Sequence, residues 1–200
     1  MIPRIEQKAE LSPTNYPRII DWLFSNNFKI LFPERIVSSI YFDNYFFQSY
    51  NDTVEGITPR RKIRIREYGV DAFKNKKNKY NLEIKLSSEF YRFKSNQVIY
   101  DLQESLNNGI VDSQYGICLP KVKITYNREY FIYESWRVTI DKLIHYENLN
   151  VDNSISKEPN LVVEIKTNIN ENYTKLKNFF EFPRSKFSKY ERAIDSLYSN

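Results

Sequence analysis

Alternation of charged and apolar side chains is the feature that most constrains what this chain can fold into. In Arg60–Tyr68, basic side chains at every second position face one way and isoleucines face the other. The segments Arg4–Ala9, Tyr80–Ser87 and Asn160–Thr167 show the same period of two, which is typical of β-strands buried on one face only. The sequence therefore predicts several strands that each carry one charged face.

The remaining elements complete an α+β fold that is mainly antiparallel β. Tyr and Phe, at 16 and 14 residues, are common enough to favour strands. Further strands are predicted at Ile36–Asp43, Glu89–Lys94, Leu119–Tyr133 and Trp136–His145, the last two forming a hairpin that turns at Glu134 and Ser135. Helices are predicted from Ser12-Pro13, from Asn96 to Asn108 with a stop at Gly109, over Glu171–Phe182, and from Ser188 with its capping partner Glu191.

About eight strands with short links indicate antiparallel pairing. The polar stretches Asp71–Lys79 and Asn148–Glu158 are predicted to be loops, and neither is long enough to mark a domain boundary. We therefore expect one domain over residues 1–200. Eight strands can close into a tunnel-like barrel with a charged interior, and the four helices would cover its apolar outer surface.

Composition narrows the class of function. With only 4 Gly residues, the chain has no Gly-rich loop of the kind that binds nucleotides. The net charge of +5 and pI near 9.1 favour an anionic partner, which at this point includes nucleic acid, phosphorylated metabolites and membrane surfaces. The single cysteine, Cys118, cannot form an internal disulfide, and Met1–Glu10 lacks a signal-peptide core. A cytoplasmic location is therefore expected, and no apolar run is long enough to span a membrane.

The charged faces suggest a specific chemistry. Cations two residues apart, as at Arg64 and Arg66, repel one another unless a counter-anion lies between them, although a merely solvated polar face would show the same alternation. Carboxylates share these faces in the pairs Glu6/Lys8, Glu83/Lys85 and Glu164/Lys166. Carboxylates near bound phosphates indicate a divalent cation, Mn²⁺ or Mg²⁺. The same carboxylates would repel a nucleic-acid backbone, so nucleic-acid binding is the less favoured alternative.

Eight short motifs in order resemble a known family. They are Arg4-Ile-Glu-Gln-Lys8, Ser39-Ile-Tyr-Phe-Asp43, Arg61-Lys-Ile-Arg-Ile-Arg66, Leu82-Glu-Ile-Lys85, Tyr126-Asn-Arg128, Arg137-Val-Thr-Ile-Asp141, Val163-Glu-Ile-Lys166 and Ser185-Lys-Phe-Ser-Lys-Tyr190. The series is similar to the VTC domain, the catalytic domain of the vacuolar transporter chaperone polyphosphate polymerases, within the triphosphate tunnel enzymes. Arg4 replaces the first Glu of the Glu-x-Glu-x-Lys motif that opens the related CYTH branch, which favours the VTC branch.

This resemblance implies an eight-stranded tunnel that binds polyphosphate and a divalent metal and that transfers the terminal phosphate of ATP to a growing polyphosphate or pyrophosphate chain. The catalytic residues it implies are Lys8, Arg64, Arg66, Lys85, Arg128, Arg137, Lys186 and Lys189. Further substrate-binding residues are expected at Lys62, Lys94, Tyr126, Lys166 and Ser188. Metal binding is expected at Glu164, with Glu6 and Glu83 as further carboxylates. A tripolyphosphatase and a binding-only module stay open, and a membrane-associated partner chain is compatible with the resemblance.

Overall fold

The computed structural model describes residues 4–74, 77, 79–88, 92–150, 154–168, 176 and 179–198. Ten strands lie in this part of the chain: β1 Arg4–Leu11, β2 Lys29–Asp43, β3 Arg60–Tyr68, β4 Tyr80–Ser87, β5 Arg92–Ile99, β6 Ile110–Asp112, β7 Gly116–Tyr133, β8 Trp136–Asn148, β9 Ile155–Lys157 and β10 Leu161–Asn168. The α-helices described are α1 Tyr16–Ser25, which follows a 3-10 turn at Pro13–Asn15, α2 Gln48–Val54, α3 Leu102–Asn108 and α4 Lys189–Tyr198.

Backbone pairing orders the main strands as β1-β10-β8-β7-β2-β3-β4-β5, with β6 paired to β7 and β9 paired to β8. The pairs β1–β10, β10–β8, β2–β3, β3–β4, β4–β5 and β6–β7 are all antiparallel, which confirms the predicted fold class. The predicted closed barrel is wrong for the part of the chain described, because the order is an open path that ends at β1 and β5. Alternation could not reveal this, since an open sheet and a closed barrel show the same alternation of side chains.

The predicted helix from Asn96 to Asn108 is wrong in its first half. Residues up to Ile99 belong to β5, where Ile99 lies opposite Tyr80. The helix begins only after Asp101, whose carboxylate accepts a hydrogen bond from the Glu104 amide at 2.9 Å. Ile99, Leu102 and Leu106 pack against the same apolar cluster, so a strand end followed by a helix produced the helical spacing. Gly109 ends the helix at φ 80°, as predicted.

Three short elements have no counterpart in the sequence prediction. They are α2, β6 and β9, and β9 lies inside a stretch predicted to be a loop. The predicted strand at 89–94 begins outside the described residues and extends further than expected, to Ile99. Most of the predicted helix over Glu171–Phe182 also lies outside the described residues. The β7–β8 hairpin turns at Glu134 and Ser135 as predicted.

The chain groups into two compact units. Unit 1 comprises Met1–Ile36, Tyr126–Ile144 and Lys157–Phe187. Its core consists of the apolar faces of β1, β8 and β10 packed against α1, and it includes Trp22, Val138 and Ile165. The opposite faces of these strands carry charged residues, among them Glu6, Lys8, Arg137, Glu164 and Lys166. The expectation of one domain over residues 1–200 stays a prediction.

Unit 2 comprises Val37–Thr125, His145–Ser156 and Ser188–Asn200. Its core is formed by Ile40, Phe42, Ile63, Ile65 and Leu82, with α3 packed against them. Alternation along β2, β3 and β4 places the basic side chains on the face away from this core. Among the described residues, no helix combines the length and apolar character that a bilayer crossing requires.

Candidate functional site

The charged face of the β3-β4-β5 sheet in unit 2 holds three lysines in one row. Lys62 of β3 lies opposite Lys85 of β4, and Lys85 lies opposite Lys94 of β5. Directly opposed residues in antiparallel strands have Cα atoms about 4.5–5.5 Å apart, so three ammonium-bearing side chains leave the sheet side by side. Like charges in this arrangement destabilise a sheet, and a bound polyanion would relieve that repulsion.

The next row pairs Arg64 with Glu83. The Arg64 Nε donates to one carboxylate oxygen of Glu83 at 2.7 Å, and the Lys94 Nζ donates to the other at 2.6 Å. Burial alone would raise the pKa of Glu83. The neighbouring Arg64, Arg66 and Lys94 have the larger, opposite effect and lower this pKa to about 2. Glu83 is therefore ionised at neutral pH, with a cation on each oxygen.

Two residues of β2 hold the arginines from the other side. The Arg64 guanidinium donates to the Tyr41 hydroxyl at 2.8 Å, and the Arg66 Nε donates to the Ser39 hydroxyl at 3.0 Å. Burial alone would raise the pKa of Tyr41. Arg64 and Arg66 have the larger, opposite effect and lower this pKa to about 7. A phenol that titrates so far below its ordinary value of 10.0 indicates a strongly positive potential on this face.

Helix α4 begins beside the lysine row. The Lys62 Nζ donates to the Ser188 hydroxyl at 2.7 Å, and the Glu191 amide donates to the same oxygen at 3.4 Å, so Ser188 caps the helix as predicted. Lys189 adds positive charge near Tyr41. Lys186 is exposed and belongs to unit 1.

A second charged cluster lies on β1 and β10 of unit 1. Lys8 lies opposite Glu164, and Glu6 lies opposite Lys166, so charges alternate both along and across the strands. The Lys166 Nζ is 3.3 Å from a Glu164 oxygen and 3.6 Å from a Glu6 oxygen. Burial lowers the pKa of Lys166, but Glu164 and Glu6 raise it more. Lys8 also donates to the Phe187 carbonyl at 2.8 Å.

Arg128 of β7 lies in the same unit and forms a two-point ion pair with Asp141 of β8. The second of its hydrogen bonds joins the Arg128 Nη2 to Oδ2 at 2.7 Å. Its guanidinium also lies over the Tyr126 ring, 5.1 Å from the centroid. Tyr126 is buried, which fits a support for Arg128 better than a direct substrate contact. Arg137 is exposed and lies opposite Lys166.

The carboxylates decide whether a divalent cation fits. No group of three or more His, Cys, Asp or Glu side chains in the described part of the chain is arranged to hold a metal ion. Magnesium sites, however, often use one or two carboxylates together with substrate phosphates. Glu6 and Glu164 supply two carboxylates that converge on one point, since each has an oxygen within 4 Å of the Lys166 ammonium, which a bound cation would have to displace. Glu83 fits it less well, because its two oxygens accept hydrogen bonds of 2.7 and 2.6 Å from Arg64 and Lys94, whereas the lysines at Glu164 are 3.3 and 3.9 Å from its oxygens.

The predicted residues thus fall into two clusters. Unit 2 brings together Lys62, Arg64, Arg66, Glu83, Lys85, Lys94, Ser188 and Lys189, and unit 1 contains Glu6, Lys8, Tyr126, Arg128, Arg137, Glu164, Lys166 and Lys186. The prediction missed the side chains that hold these residues, including Tyr41, Asp43, Tyr190 and Asp141. The alternation of Ser39, Tyr41 and Asp43 placed them on the charged face and could have identified Tyr41 and Asp43.

Comparisons with known proteins agree with the fold described above. The family model described as the VTC domain matches residues 4–198. Among solved structures, HpAC1 of Hippeastrum, an adenylyl cyclase candidate for which a dominant triphosphatase activity is described, superposes with a TM-score of 0.55 at 16% identity and covers 96% of each chain. The PH1819 protein of Pyrococcus horikoshii OT3 superposes with a TM-score of 0.56 at 16% identity, covering 96% of this chain and 99% of that one. The search of curated proteins found no match.

A family match over nearly the whole chain is decisive for membership, and the structural likenesses establish the fold. The chain belongs to the VTC domain family and has the fold of the triphosphate tunnel, or CYTH-like, proteins.

Proposed function

We propose that this chain is a metal-dependent enzyme that binds ATP and inorganic polyphosphate, and that it transfers the terminal phosphate of ATP to the end of a polyphosphate chain. The observation that carries the proposal is the row formed by Lys62, Lys85 and Lys94. Beside it, Arg64 and Arg66 are held in fixed orientations by Tyr41 and Ser39. Such a surface suits an anion with many phosphate oxygens in sequence.

Phosphoryl transfer requires positioning and charge neutralisation more than covalent participation by the protein. Arg64 and Arg66 can each bind phosphate oxygens in a planar fork, whereas the lysines act as point charges. The accepting oxygen of polyphosphate is already anionic, so this reaction needs no general base. The proposal therefore gives no role to His145, the single histidine of the chain.

In unit 1 we assign Lys8, Arg128, Arg137 and Lys166 to phosphate binding and Glu6 and Glu164 to a divalent cation. When bound, Mn²⁺ or Mg²⁺ would neutralise phosphate oxygens alongside these side chains. Asp141 fixes the Arg128 guanidinium through two hydrogen bonds. Glu83 is better placed to orient Arg64 and Lys94 than to bind a metal, which narrows the expectation drawn from the sequence.

Hydrolysis is the second candidate. HpAC1 shares this fold at a TM-score of 0.55 and is described as having a dominant triphosphatase activity. With water in place of the polyphosphate terminus, the same cations would support hydrolysis of a triphosphate. A cytoplasmic location and a membrane-associated partner stay predictions made from the sequence.

The deciding experiment incubates the purified protein with ATP and Mn²⁺, with and without pyrophosphate, and measures chain length on gels and free phosphate in solution. A ladder of long chains supports the polymerase, and free phosphate without chains supports the triphosphatase. Arg64→Ala should abolish either product, whereas Arg18→Ala, which removes an exposed ion pair with Glu181, should retain it. The proposal is refuted if the wild-type protein shows no turnover and does not bind polyphosphate.

A further inference from the structure

Three buried side chains of unit 2 lie beside the phosphate-binding residues assigned above. Tyr41 already holds Arg64, whereas Asp43 and Tyr190 have no role in the proposed reaction so far. Tyr41, Asp43 and Tyr190 are 6%, 0% and 1% exposed. A buried carboxylate and two buried phenols need hydrogen-bond partners, and the partners they have connect β2, α2 and α4.

Asp43 is the centre of this network. One of its oxygens accepts hydrogen bonds from the backbone amides of Asn44 at 2.8 Å and Ser49 at 3.0 Å, and the other accepts from the Tyr50 amide at 3.0 Å. The Tyr190 hydroxyl donates to this second oxygen at 2.7 Å. Asp43 therefore fixes the first turn of α2 and, through Tyr190, the first turn of α4.

Tyr190 is also connected to Arg64, through its ring and the side chain of Tyr41. Its ring stacks on Tyr41 with centroids 5.2 Å apart and planes 11° apart, and the Tyr41 hydroxyl accepts a hydrogen bond from Arg64 at 2.8 Å. Two residues before Tyr190, Ser188 accepts a hydrogen bond from Lys62 at 2.7 Å. Tyr190 thus contacts Tyr41, which orients Arg64. It also lies two residues from Ser188, which binds Lys62.

We propose that Tyr190, held by Asp43 and stacked on Tyr41, is a positioning residue that keeps the start of α4 and the guanidinium of Arg64 in the geometry that binds polyphosphate. The inference rests on the proposed function of this face. It assigns α4 a role beyond that of a covering helix: its first turn sets where Ser188 and Lys189 lie relative to Lys62 and Tyr41.

The test compares Tyr190→Phe with Tyr80→Phe. The first substitution removes the hydroxyl that donates to Asp43 and keeps the ring. Tyr80 is equally buried, and its hydroxyl accepts from the Lys77 amide at 2.9 Å, but its side chain lies in the apolar core on the other face of the sheet. Both variants therefore lose one hydrogen bond made by the hydroxyl of a buried tyrosine, and only Tyr190→Phe alters the proposed network.

Calorimetric titration with tripolyphosphate measures the affinity of each variant, and thermal unfolding measures its melting temperature. We expect Tyr190→Phe to weaken tripolyphosphate binding on the order of tenfold, and Tyr80→Phe to stay within about twofold of the wild type at a similar loss of melting temperature. Equal affinities in the two variants would overturn the inference, since the loss would then be one of general stability.

A second substitution covers the case in which Tyr190→Phe does not fold. Tyr41→Phe keeps the ring stack and removes only the hydroxyl that accepts from Arg64, and it should weaken tripolyphosphate binding in the same direction. Wild-type affinity in Tyr41→Phe would refute the part of the inference that concerns Arg64. If the wild-type protein itself does not bind tripolyphosphate, it is the proposed function that fails.

Discussion

Replacing Glu83 by Gln tests whether the basic face of unit 2 is built for an anion. Glu83 supplies the negative charge between Arg64 and Lys94, with side-chain contacts of 2.7 and 2.6 Å. The substitution keeps the size of the side chain and removes its charge. The cations are then left with less compensation in the folded protein, and we expect the variant to be less stable and to regain that stability when a phosphate polyanion binds.

The magnitude follows from the pKa of the carboxyl group. Its pKa is about 2 in the folded protein against an ordinary value of 4.5, and one pKa unit corresponds to about 1.4 kcal/mol. The charged form is thus favoured by at most about 3.5 kcal/mol, and solvent screening reduces this to about 1–2 kcal/mol. For a domain of this size that corresponds to a fall of roughly 2–8 °C in melting temperature.

The pH dependence of the stabilisation by Glu83 follows from the direction of its pKa shift. Because the folded-state pKa lies below the unfolded one, the stabilisation by Glu83 is present above about pH 5 and is lost as the pH falls towards 2. The difference in stability between the wild type and Glu83→Gln should therefore shrink over that range. Urea unfolding at neutral pH and at pH 4, 3 and 2.5 measures it.

Glu67→Gln provides the control for anion rescue. Glu67 is 5% exposed and pairs with Lys77 at 2.7 Å, but it lies on the apolar side of β3 with Ile63 and Ile65. Melting temperatures are measured without divalent metal, with and without one fixed concentration of tripolyphosphate, about 100 times the wild-type Kd, which stabilises the wild type by about 2.7 kcal/mol. Glu83→Gln should show a larger ligand-induced rise than the wild type, and Glu67→Gln should show the wild-type rise.

The reasoning is refuted if tripolyphosphate raises the melting temperature of Glu83→Gln no more than that of the wild type. A loss of metal-dependent affinity in this variant would instead restore Glu83 as a metal ligand.

Two further predictions concern other groups of the clusters. Glu164→Gln should abolish metal-dependent turnover and leave most of the metal-free polyphosphate affinity, as measured by activity and calorimetry in parallel; full activity would remove Glu164 from the metal site. Tyrosinate absorbance should show one group titrating near pH 7, absent in Tyr41→Phe, and its pKa should rise when tripolyphosphate binds, because nearby negative charge disfavours the phenolate. A titration in which every tyrosine ionises near pH 10 would contradict the charged environment assigned to Tyr41.

Local patterns predicted the strands well where one face is charged and the other apolar. The bounds predicted for β3 and β4, Arg60–Tyr68 and Tyr80–Ser87, are those of the structure, because a period of two is a property of a few consecutive residues. Helix α2 was missed since Gln48–Val54 has few strong helix formers. It is stabilised from outside by Asp43, whose carboxylate accepts hydrogen bonds from the Ser49 and Tyr50 amides.

The partners of the site residues were harder to predict than the residues themselves. The basic positions could be identified because they recur at a fixed spacing, but Lys62 and Ser188 are 126 positions apart and meet only in the folded chain. Likewise, two carboxylates with the same Glu-x-Lys spacing have different surroundings: Glu164 lies near two lysines, whereas Glu83 is bound by Arg64 and Lys94. The shared Glu-x-Lys spacing did not distinguish these two surroundings.

The sequence by itself determined the strands in which charged and apolar residues alternate, the face of each that is charged, and the mostly positive sign of the charge, because alternation and composition are local properties. Only the tertiary structure decided that the described strands form an open order from β1 to β5. It also decided that Lys62, Lys85 and Lys94 share one row, and that Asp43 and Tyr190 fix the start of α4. These features depend on which distant segments pair, and pairing is set by the free energy of the whole fold.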